Sequence, residues 1–233
     1  MQRSTAPPTR LHVQLEAAGE EQLTCLAALP GGALLICGSS SGDLKRVALE
    51  AGATPSLTLS GHTGPVLCCC VFTLTGAVLA ASGSADGSCR VWDARGGACE
   101  CVLTHAASDS VMVNAVSFAE LGGTPLLVTA HSDYAVRVWN GRTAAAASGG
   151  ALAPLAVLQE HADAVLACAA TARQLVSASM DASVKFWSWT GGAGALEHST
   201  YDFIRAVTRL RVAQVGEVEV RVEGWGVWLL VHG

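Results

Sequence analysis

The sequence predicts an all-β protein that is built from small antiparallel sheets. Short apolar and β-branched runs alternate with turn signals such as Thr75-Gly76 and Asp86-Gly87. Asp-Gly between two such runs predicts a hairpin, because the turn requires a positive φ. The same pattern returns at a regular interval along the chain, and only 14% of the residues are charged, which argues against a disordered chain.

Three stretches share one arrangement of polar and aromatic residues. In each, a Ser or Thr precedes an Asp by four residues, a Trp follows that Asp by six, and a basic residue precedes the Trp by two. The Asp residues are Asp86, Asp133 and Asp181, which are separated by 47 and 48 residues. An earlier segment is a degenerate copy, with Ser41 at the Asp position and Val47 at the Trp position. One small sheet cannot bury both of its faces, so the units are expected to stack.

Gly61-His62 followed by Val91-Trp92-Asp93 at this spacing resembles the WD40 repeat family of β-propellers. The match is strong over about 57–190, weaker over 11–56 and nearly absent after about 210. The resemblance implies a WD40-type β-propeller of four-stranded antiparallel blades, with about four to five blades present.

The same resemblance implies a hydrogen-bonded network in each blade. In the family, a His before the first strand, a Ser or Thr on the second strand, an Asp in the next turn and a Trp on the third strand are bonded together. Carried over, these residues are His62, Ser82, Asp86 and Trp92, then His105, Thr129, Asp133 and Trp139, then His161, Ser177, Asp181 and Trp187. Each polar group that such a network satisfies would cost about 1–3 kcal/mol if it were buried unpaired.

The repeat divides the chain into a flexible arm at 1–10, a WD40 region at 11–212 and an atypical tail at 213–233. The region comprises a degenerate blade at 11–60, blades at 61–104, 105–160 and 161–200, and the start of a further blade at 201–212. Because the first unit lacks the Asp and the Trp, we expect it to be less rigid than the others.

Several segments outside the clear repeats have their own expected structures. Leu11–Leu15 alternates and is expected to complete the last blade as a strand, and Gly141–Pro154 is expected to be a flexible loop, because a poly-Ala helix this short is unstable alone. Further strands are expected at Ala195–Tyr201 and Ile204–Val212, which would start a fifth unit, and at Val215–Glu223. Residues 224–233 resemble no repeat strand.

Two interpretations of the ring follow. In one, about five blades close into a compact propeller. In the other, which we favour, the chain forms an open arc of an incomplete ring, and its apolar tail is translated non-coding sequence. An open arc exposes blade faces and an unpaired edge strand, which would promote edge-to-edge association.

Composition excludes several classes of function. The net charge is −5 and the 14 Lys and Arg residues are spread along the chain, so no nucleic-acid partner is expected. No membrane span is expected, because no run of about 20 consecutive apolar residues occurs. The nine cysteines include no Cys-x-x-Cys pair, and Cys99-x-Cys101 with His105 is interpreted as ordinary strand residues beside a repeat histidine. No metal or cofactor is expected, and the predicted compartment is a reducing one, cytoplasm or nucleus.

The recurrence of Ser, His and Asp argues against an enzyme. An active site is a single asymmetric constellation, whereas these residue types return three times at a fixed period. No Gly-x-Ser-x-Gly elbow surrounds Ser82, Thr129 or Ser177.

The resemblance therefore implies a non-catalytic scaffold for protein–protein interactions, with other proteins as partners. Candidate contacts flank the networks on the face where second strands end, here called the top face: Thr63, Pro65, Ala85, Ser132, Tyr134, Asp163 and Met180. An alternative is a substrate receptor of a cullin–RING ubiquitin ligase. Trp92-Asp93-Ala94-Arg95 and Trp139-Asn140-Gly141-Arg142 are similar to the W-D-x-R motif with which some WD40 proteins dock on the ligase adaptor. Arg95 and Arg142 would then grip an acidic partner from the opposite face.

Overall fold

The structure is a computed structural model that describes residues 21–29, 34–48, 57–104, 111–146, 152–171 and 174–189, together with 196–202, 207–214, 217–222 and 228–232. These residues form five antiparallel sheets, and within each sheet every strand pairs with the next one along the chain.

The first sheet contains β1 (Leu23–Ala28), β2 (Leu34–Ser39), β3 (Leu44–Ala48) and β4 (Leu57–Leu59). The second contains β5 (Val66–Leu74), β6 (Ala77–Ser84), β7 (Cys89–Asp93) and β8 (Cys99–Leu103). The third contains β9 (Val113–Leu121), β10 (Thr124–His131), β11 (Val136–Asn140) and β12 (Ala156–Leu158), with helix α1 (Gly141–Ala146) between the last two. The fourth contains β13 (Val165–Ala170), β14 (Gln174–Ser179), β15 (Ser183–Trp189) and β16 (Leu196–Asp202). The fifth contains β17 (Val207–Gln214), β18 (Glu217–Val222) and β19 (Trp228–His232).

Successive sheets pack against one another in chain order. The contacts join β1 to β5, β5 to β9, β9 to β13 and β13 to β17, so the first strands of neighbouring sheets lie side by side. Among the described residues, the row of sheets is not closed into a ring. The predicted fold class, an all-β array of four-stranded antiparallel blades, is confirmed.

The apolar core lies between the sheets rather than within one of them. Separate clusters of buried side chains fill the spaces between the first and second, the second and third, and the third and fourth sheets. The sheets approach so closely that a Cβ atom added to Gly83 would lie 2.5 Å from Val113 Cγ1 of the next sheet. The second and third sheets therefore bury both of their faces against neighbouring sheets, as stacking predicts.

The turn between the second and third strands has the same backbone conformation in the first four sheets. Its third residue has a positive φ in each case: Gly42 (94°), Gly87 (83°), Tyr134 (69°) and Ala182 (64°). Glycine adopts this left-handed conformation at no steric cost, whereas a residue with a side chain is strained by about 1–2 kcal/mol. Tyr134 is the bulkiest of the four.

Helix α1 corrects the prediction of a flexible loop at Gly141–Pro154. The Asn140 side-chain oxygen accepts hydrogen bonds from the amides of Arg142 (2.9 Å) and Thr143 (3.3 Å), which caps the start of the helix. Ala144 is 1% exposed and packs into the core between the second and third sheets. This packing stabilises a single helical turn that would not persist alone.

The end of the chain also differs from the prediction. Strand β16 pairs with β15 from Ser183↔Asp202 to Trp189↔Leu196, so it completes the fourth sheet instead of starting a fifth unit. Residues 224–233, whose sequence resembles no repeat strand, include β19, and this strand pairs with β18. The tail lacks the Ser, Asp and turn signals of a repeat, but an apolar run needs none of them to pair in a hairpin. The predicted strand Leu11–Leu15 lies outside the described residues. Within the described part of the chain, no helix has the length and apolar character that crossing a bilayer requires.

Candidate functional site

In the second sheet, four predicted network residues meet through direct hydrogen bonds. The Trp92 indole N–H donates to Ser82 Oγ at 2.8 Å, and His62 Nε2 lies 2.8 Å from the same oxygen. On the other side of the ring, His62 Nδ1 lies 2.9 Å from Asp86 Oδ2. Ser88 extends the network, because its hydroxyl donates to Asp86 Oδ1 at 2.7 Å. The side chains thus join the third strand, the second strand, the loop before the first strand and the turn.

The direction of these hydrogen bonds follows from the donors available. Trp92 can only donate, so Ser82 Oγ accepts from it and has its own hydrogen left for His62 Nε2. Nδ1 of His62 then bears the remaining ring hydrogen and donates it to the Asp86 carboxylate. The result is a chain of donors that runs from the indole to the carboxylate through a neutral imidazole.

The pKa values of both titratable groups favour this neutral imidazole and ionised carboxylate. Burial lowers the pKa of His62 below its usual 6.5 and outweighs the opposing effect of Asp86. Burial alone would raise the pKa of Asp86, but hydrogen bonds from the Ser88 hydroxyl and amide and from the Thr63 amide outweigh it and hold the pKa at about 2.

The fourth sheet repeats this arrangement almost atom for atom. The Trp187 indole donates to Ser177 Oγ at 2.9 Å, and His161 Nε2 lies 2.8 Å from that oxygen. His161 Nδ1 lies 2.9 Å from Asp181 Oδ2, and the Ser183 hydroxyl donates to Asp181 Oδ1 at 2.7 Å. Burial again lowers the pKa of the histidine, and hydrogen bonds again hold the pKa of the carboxyl at about 2 despite burial.

The third sheet has a different network, and its histidine is one that the sequence analysis missed. The Trp139 indole donates to Thr129 Oγ1 at 2.9 Å, but the ring that lies 2.8 Å from this hydroxyl is His131. Asp133 does not bond to that ring. It forms an ion pair with Arg137 at 2.5 Å instead.

Two substitutions within the repeat explain the change. In the pairing of first and second strands, His131 occupies the position of Ser84 and Ser179, whose hydroxyls bind backbone carbonyls. Ala135 stands two residues after the Asp, where the second and fourth sheets have the serine that joins the carboxylate to the histidine. Both substitutions are visible in the sequence. The predicted network residue His105 lies outside the described residues.

The first sheet lacks the Asp and the Trp of the network. Other side chains form hydrogen bonds near the turn between its second and third strands. The Ser41 hydroxyl donates to Glu21 at 2.7 Å, and the Lys45 ammonium forms an ion pair with the same carboxylate at 2.8 Å. The Ser39 hydroxyl lies 2.8 Å from that of Ser41. Hydrogen bonds from Lys45, Ser41 and Ser39 lower the pKa of Glu21 to about 2.

These networks correspond to a known repeat. A sequence profile described as "WD domain, G-beta repeat" matches residues 53–93 and 152–188, which hold the networks of the second and fourth sheets. The predicted resemblance to the WD40 repeat family is confirmed in these two regions. The profile does not cover the third sheet, where the network is changed. No curated protein sequence matches the chain.

Solved structures share the fold of this chain. The structure described as "Structure of U3-55K", a WD40 propeller protein, superimposes with a TM-score of 0.74 at 20% sequence identity. The match covers 93% of this chain and 62% of the other, so this chain spans less than two thirds of the length of the neighbour. At this identity the likeness shows the fold alone.

The predicted contact residues lie beside the networks with different exposures. Thr63, Pro65, Tyr134 and Met180 are exposed, whereas Ala85, Ser132 and Asp163 are half-buried. Met112, which the sequence analysis did not select, is 40% exposed next to Ser132. On the other face Arg95 and Arg142 are both exposed. Among the described residues, no group of three or more His, Cys, Asp or Glu side chains is placed to hold a metal ion.

Proposed function

We propose that this chain is a non-catalytic platform that binds other proteins through its top face. The observation that supports this proposal most strongly is Tyr134. This residue is 47% exposed, and its backbone adopts the left-handed conformation that Gly87 supplies at the same turn of the second sheet. Strained residues of this kind occur preferentially at functional sites. A large aromatic side chain at a strained, solvent-facing turn stabilises the free chain very little, so we infer that it contacts a partner.

Other exposed apolar side chains accompany Tyr134 on the top face. Met112 belongs to the loop that meets the same turn, because its amide donates to Ser132 Oγ at 2.9 Å and its carbonyl accepts from the Ser132 amide at 3.1 Å. Met180 is 51% exposed on the equivalent turn of the fourth sheet. Tyr and Met side chains are effective contacts for a protein partner, since they combine large apolar area with a polar tip or with flexibility.

The geometry of the serine residues supports a structural role rather than catalysis. Ser82 and Ser177 are 0% exposed, and each oxygen already accepts an indole hydrogen. A nucleophile needs an oxygen that reaches the substrate. We therefore assign these Ser–His–Asp groups to holding the sheets together.

The proposal is tested by capturing partners from a cell lysate with the wild-type chain and with Tyr134→Gly. Glycine relieves the strained φ, so this variant is expected to be more stable than wild type and lost binding cannot be attributed to unfolding. Leu155→Ala is the matched control, because Leu155 is 45% exposed and lies in the loop that leads to β12. We expect Tyr134→Gly to lose partners that Leu155→Ala retains. Equal capture by the two variants would contradict the top-face proposal.

A second candidate function is docking on a ubiquitin-ligase adaptor through Arg95 and Arg142. Asp93 Oδ1 accepts a hydrogen bond from the Arg95 amide at 2.8 Å, and Asn140 Oδ1 accepts one from the Arg142 amide at 2.9 Å. Neighbouring sheets thus present exposed arginines on equivalent turns, which suits a partner with carboxylates. The test is adaptor binding by the wild-type chain and by Arg95→Ala combined with Arg142→Ala. Loss of binding in the double variant supports docking, and binding that survives overturns it.

We also propose that the chain works in a reducing compartment, the cytoplasm or the nucleus. All nine cysteines are free thiols, and most are buried or half-buried among apolar strand residues. Thiols of this kind are kept reduced in those compartments. Tracking a tagged chain by fluorescence microscopy tests this placement, and a secreted chain would contradict it.

A further inference from the structure

Two thiols from different sheets face each other between the first and second sheets. Cys25 belongs to β1 and Cys69 to β5, and Cα atoms of these strands approach within 8 Å. The two thiols are close enough for each to shift the pKa of the other. Both side chains are half-buried and pack against the same apolar cluster.

The backbone of β2 shows independently that the two sulfurs share one site. Ile36 and Gly38 lie two residues apart, so they present the same face of β2 to the second sheet. The Cys69 sulfur lies 3.8 Å from the Ile36 carbonyl oxygen, and a Cβ added to Gly38 would lie 2.5 Å from the Cys25 sulfur. The sulfurs therefore occupy neighbouring positions over β2, and the missing side chain of Gly38 leaves the space for one of them.

Cys25 is the more reactive thiol of the pair. The neighbouring Cys69 thiol lowers the pKa of Cys25 below its usual 9.0 and outweighs the opposing effect of burial. By contrast, burial raises the pKa of Cys70 to about 12, and burial also raises the pKa of Cys168 far above its usual value. Thiolates react and buried thiols do not, so oxidation is expected to begin at Cys25.

A small oxidant can reach Cys25. Cys25 itself is half-buried rather than enclosed, and Leu23, two residues before it on β1, is 47% exposed. The strand therefore lies at an accessible surface of the first sheet. The exposed thiol Cys99 on β8 provides a comparison, because it is accessible but belongs to a different pair of strands.

We propose that Cys25 and Cys69 form a reversible disulfide that fastens the first sheet to the second when the chain meets hydrogen peroxide. The Cys25 thiolate attacks one peroxide oxygen, the O–O bond breaks, and the departing hydroxide takes up a proton to become water. The resulting sulfenic acid is attacked by the Cys69 sulfur after it loses its proton. The S–O bond then breaks and hydroxide leaves with that proton as a second water. Two thiols lose two electrons in total, and one peroxide molecule gains them.

The experiment treats the full chain with a small excess of hydrogen peroxide, denatures it, alkylates the remaining thiols and measures the intact mass and the peptide map. We expect seven alkylated thiols instead of nine, one cross-linked pair of peptides joined through Cys25 and Cys69, and full reversal by dithiothreitol. Cys99→Ser is the matched control and should form the same cross-link. Cys25→Ser should form none and should leave Cys69 open to alkylation.

A peptide map that joins Cys25 to a different cysteine, or that recovers both thiols alkylated after peroxide treatment, would overturn the proposal. The proposal would also be overturned if peroxide treatment of Cys25→Ser still removed two alkylatable thiols. The wild-type peptide map decides the question even if a variant folds poorly. Cys69→Ala provides a second variant, in which an apolar side chain replaces the thiol, and it should also form no cross-link. In the oxidised chain, hydrogen exchange of the β1 amides should slow by about tenfold or more, because the cross-link opposes separation of the two sheets. Unchanged exchange in the cross-linked chain would contradict the fastening role.

Discussion

Replacing Ser82 by alanine removes the central oxygen of the second-sheet network. This oxygen is fully buried, and it receives the Trp92 indole hydrogen at 2.8 Å and lies 2.8 Å from His62 Nε2. Alanine leaves both nitrogens buried without this partner. Each unsatisfied group costs about 1–3 kcal/mol, so the substitution should lower the free energy of unfolding by about 2–5 kcal/mol.

Urea unfolding, followed by tryptophan fluorescence and circular dichroism, measures this loss. Ser188→Ala is the matched control, because Ser188 is an exposed residue on β15 and its replacement should change the free energy of unfolding by less than about 0.5 kcal/mol. Combining Ser82→Ala with Trp92→Phe completes a double-mutant cycle. Phenylalanine has no N–H to leave unpaired, so Ser82→Ala should cost about 1–2 kcal/mol less in that background.

Two results would refute this reasoning. One is a loss in Ser82→Ala no larger than that in Ser188→Ala. The other is a double-mutant cycle with no coupling between Ser82 and Trp92, which would mean that the hydrogen bond between them contributes nothing to stability.

Three further predictions follow from the structure. The lowered pKa values of His62 and His161 mean that these histidines bind protons in the unfolded chain at a higher pH than in the folded chain, so stability should fall as the pH drops below 6.5. Stability should fall again below 3.8, where Asp86 and Asp181 begin to protonate in the unfolded chain but stay ionised in the folded one. Urea unfolding between pH 8 and 3 measures this, and a flat profile below 6.5 would contradict it. His131→Ala should lower the free energy of unfolding by about 2–4 kcal/mol, because it removes a buried ring and the hydrogen bond to Thr129. A loss below about 1 kcal/mol in urea unfolding would argue against a structural role for this ring. Leu26→Gln should weaken concentration-dependent association in light scattering, since this 64%-exposed side chain lies on the first sheet of an unclosed row; an unchanged association constant would place the contact elsewhere.

The sequence predicts most accurately what depends on residues close together in the chain. The spacing from Ser82 to Asp86 to Trp92 places a strand, a turn and a strand, and the structure has β6, the turn and β7 at those positions. The same holds for β10 and β11, and for β14 and β15. These residues bond across one hairpin, so their spacing is fixed by local geometry.

The histidine of the third sheet was missed because the prediction looked only before the first strand. His131 lies on the second strand, where the other two clear repeats have serine. A comparison of Ser82-Gly83-Ser84 with Thr129-Ala130-His131 would have identified it. The pairing of Asp133 with Arg137 is likewise consistent with Ala135, which offers the carboxylate no hydroxyl.

Features that depend on contacts between residues far apart in the chain were beyond the reach of the sequence. Helix α1 persists because Ala144 packs against the neighbouring sheet, and nothing within Gly141–Ala146 reveals that contact. The ion pair between Glu21 and Lys45 joins residues 24 positions apart, in a repeat that has lost its usual signals. The proximity of Cys25 and Cys69 also appears only when the first and second sheets are packed together.

The central claim is that a buried hydroxyl anchors one tryptophan in each of the second, third and fourth sheets. Hydrogen exchange of the tryptophan indole N–H groups, measured by NMR, tests this claim most directly. The signals of Trp92, Trp139 and Trp187 are assigned by replacing each residue with phenylalanine. All three indole hydrogens should exchange at least about a hundredfold more slowly than free indole, because each is hydrogen-bonded and buried. Thr129→Val should abolish the protection of Trp139 alone. Exchange of the three groups at the rate of free indole would contradict the account.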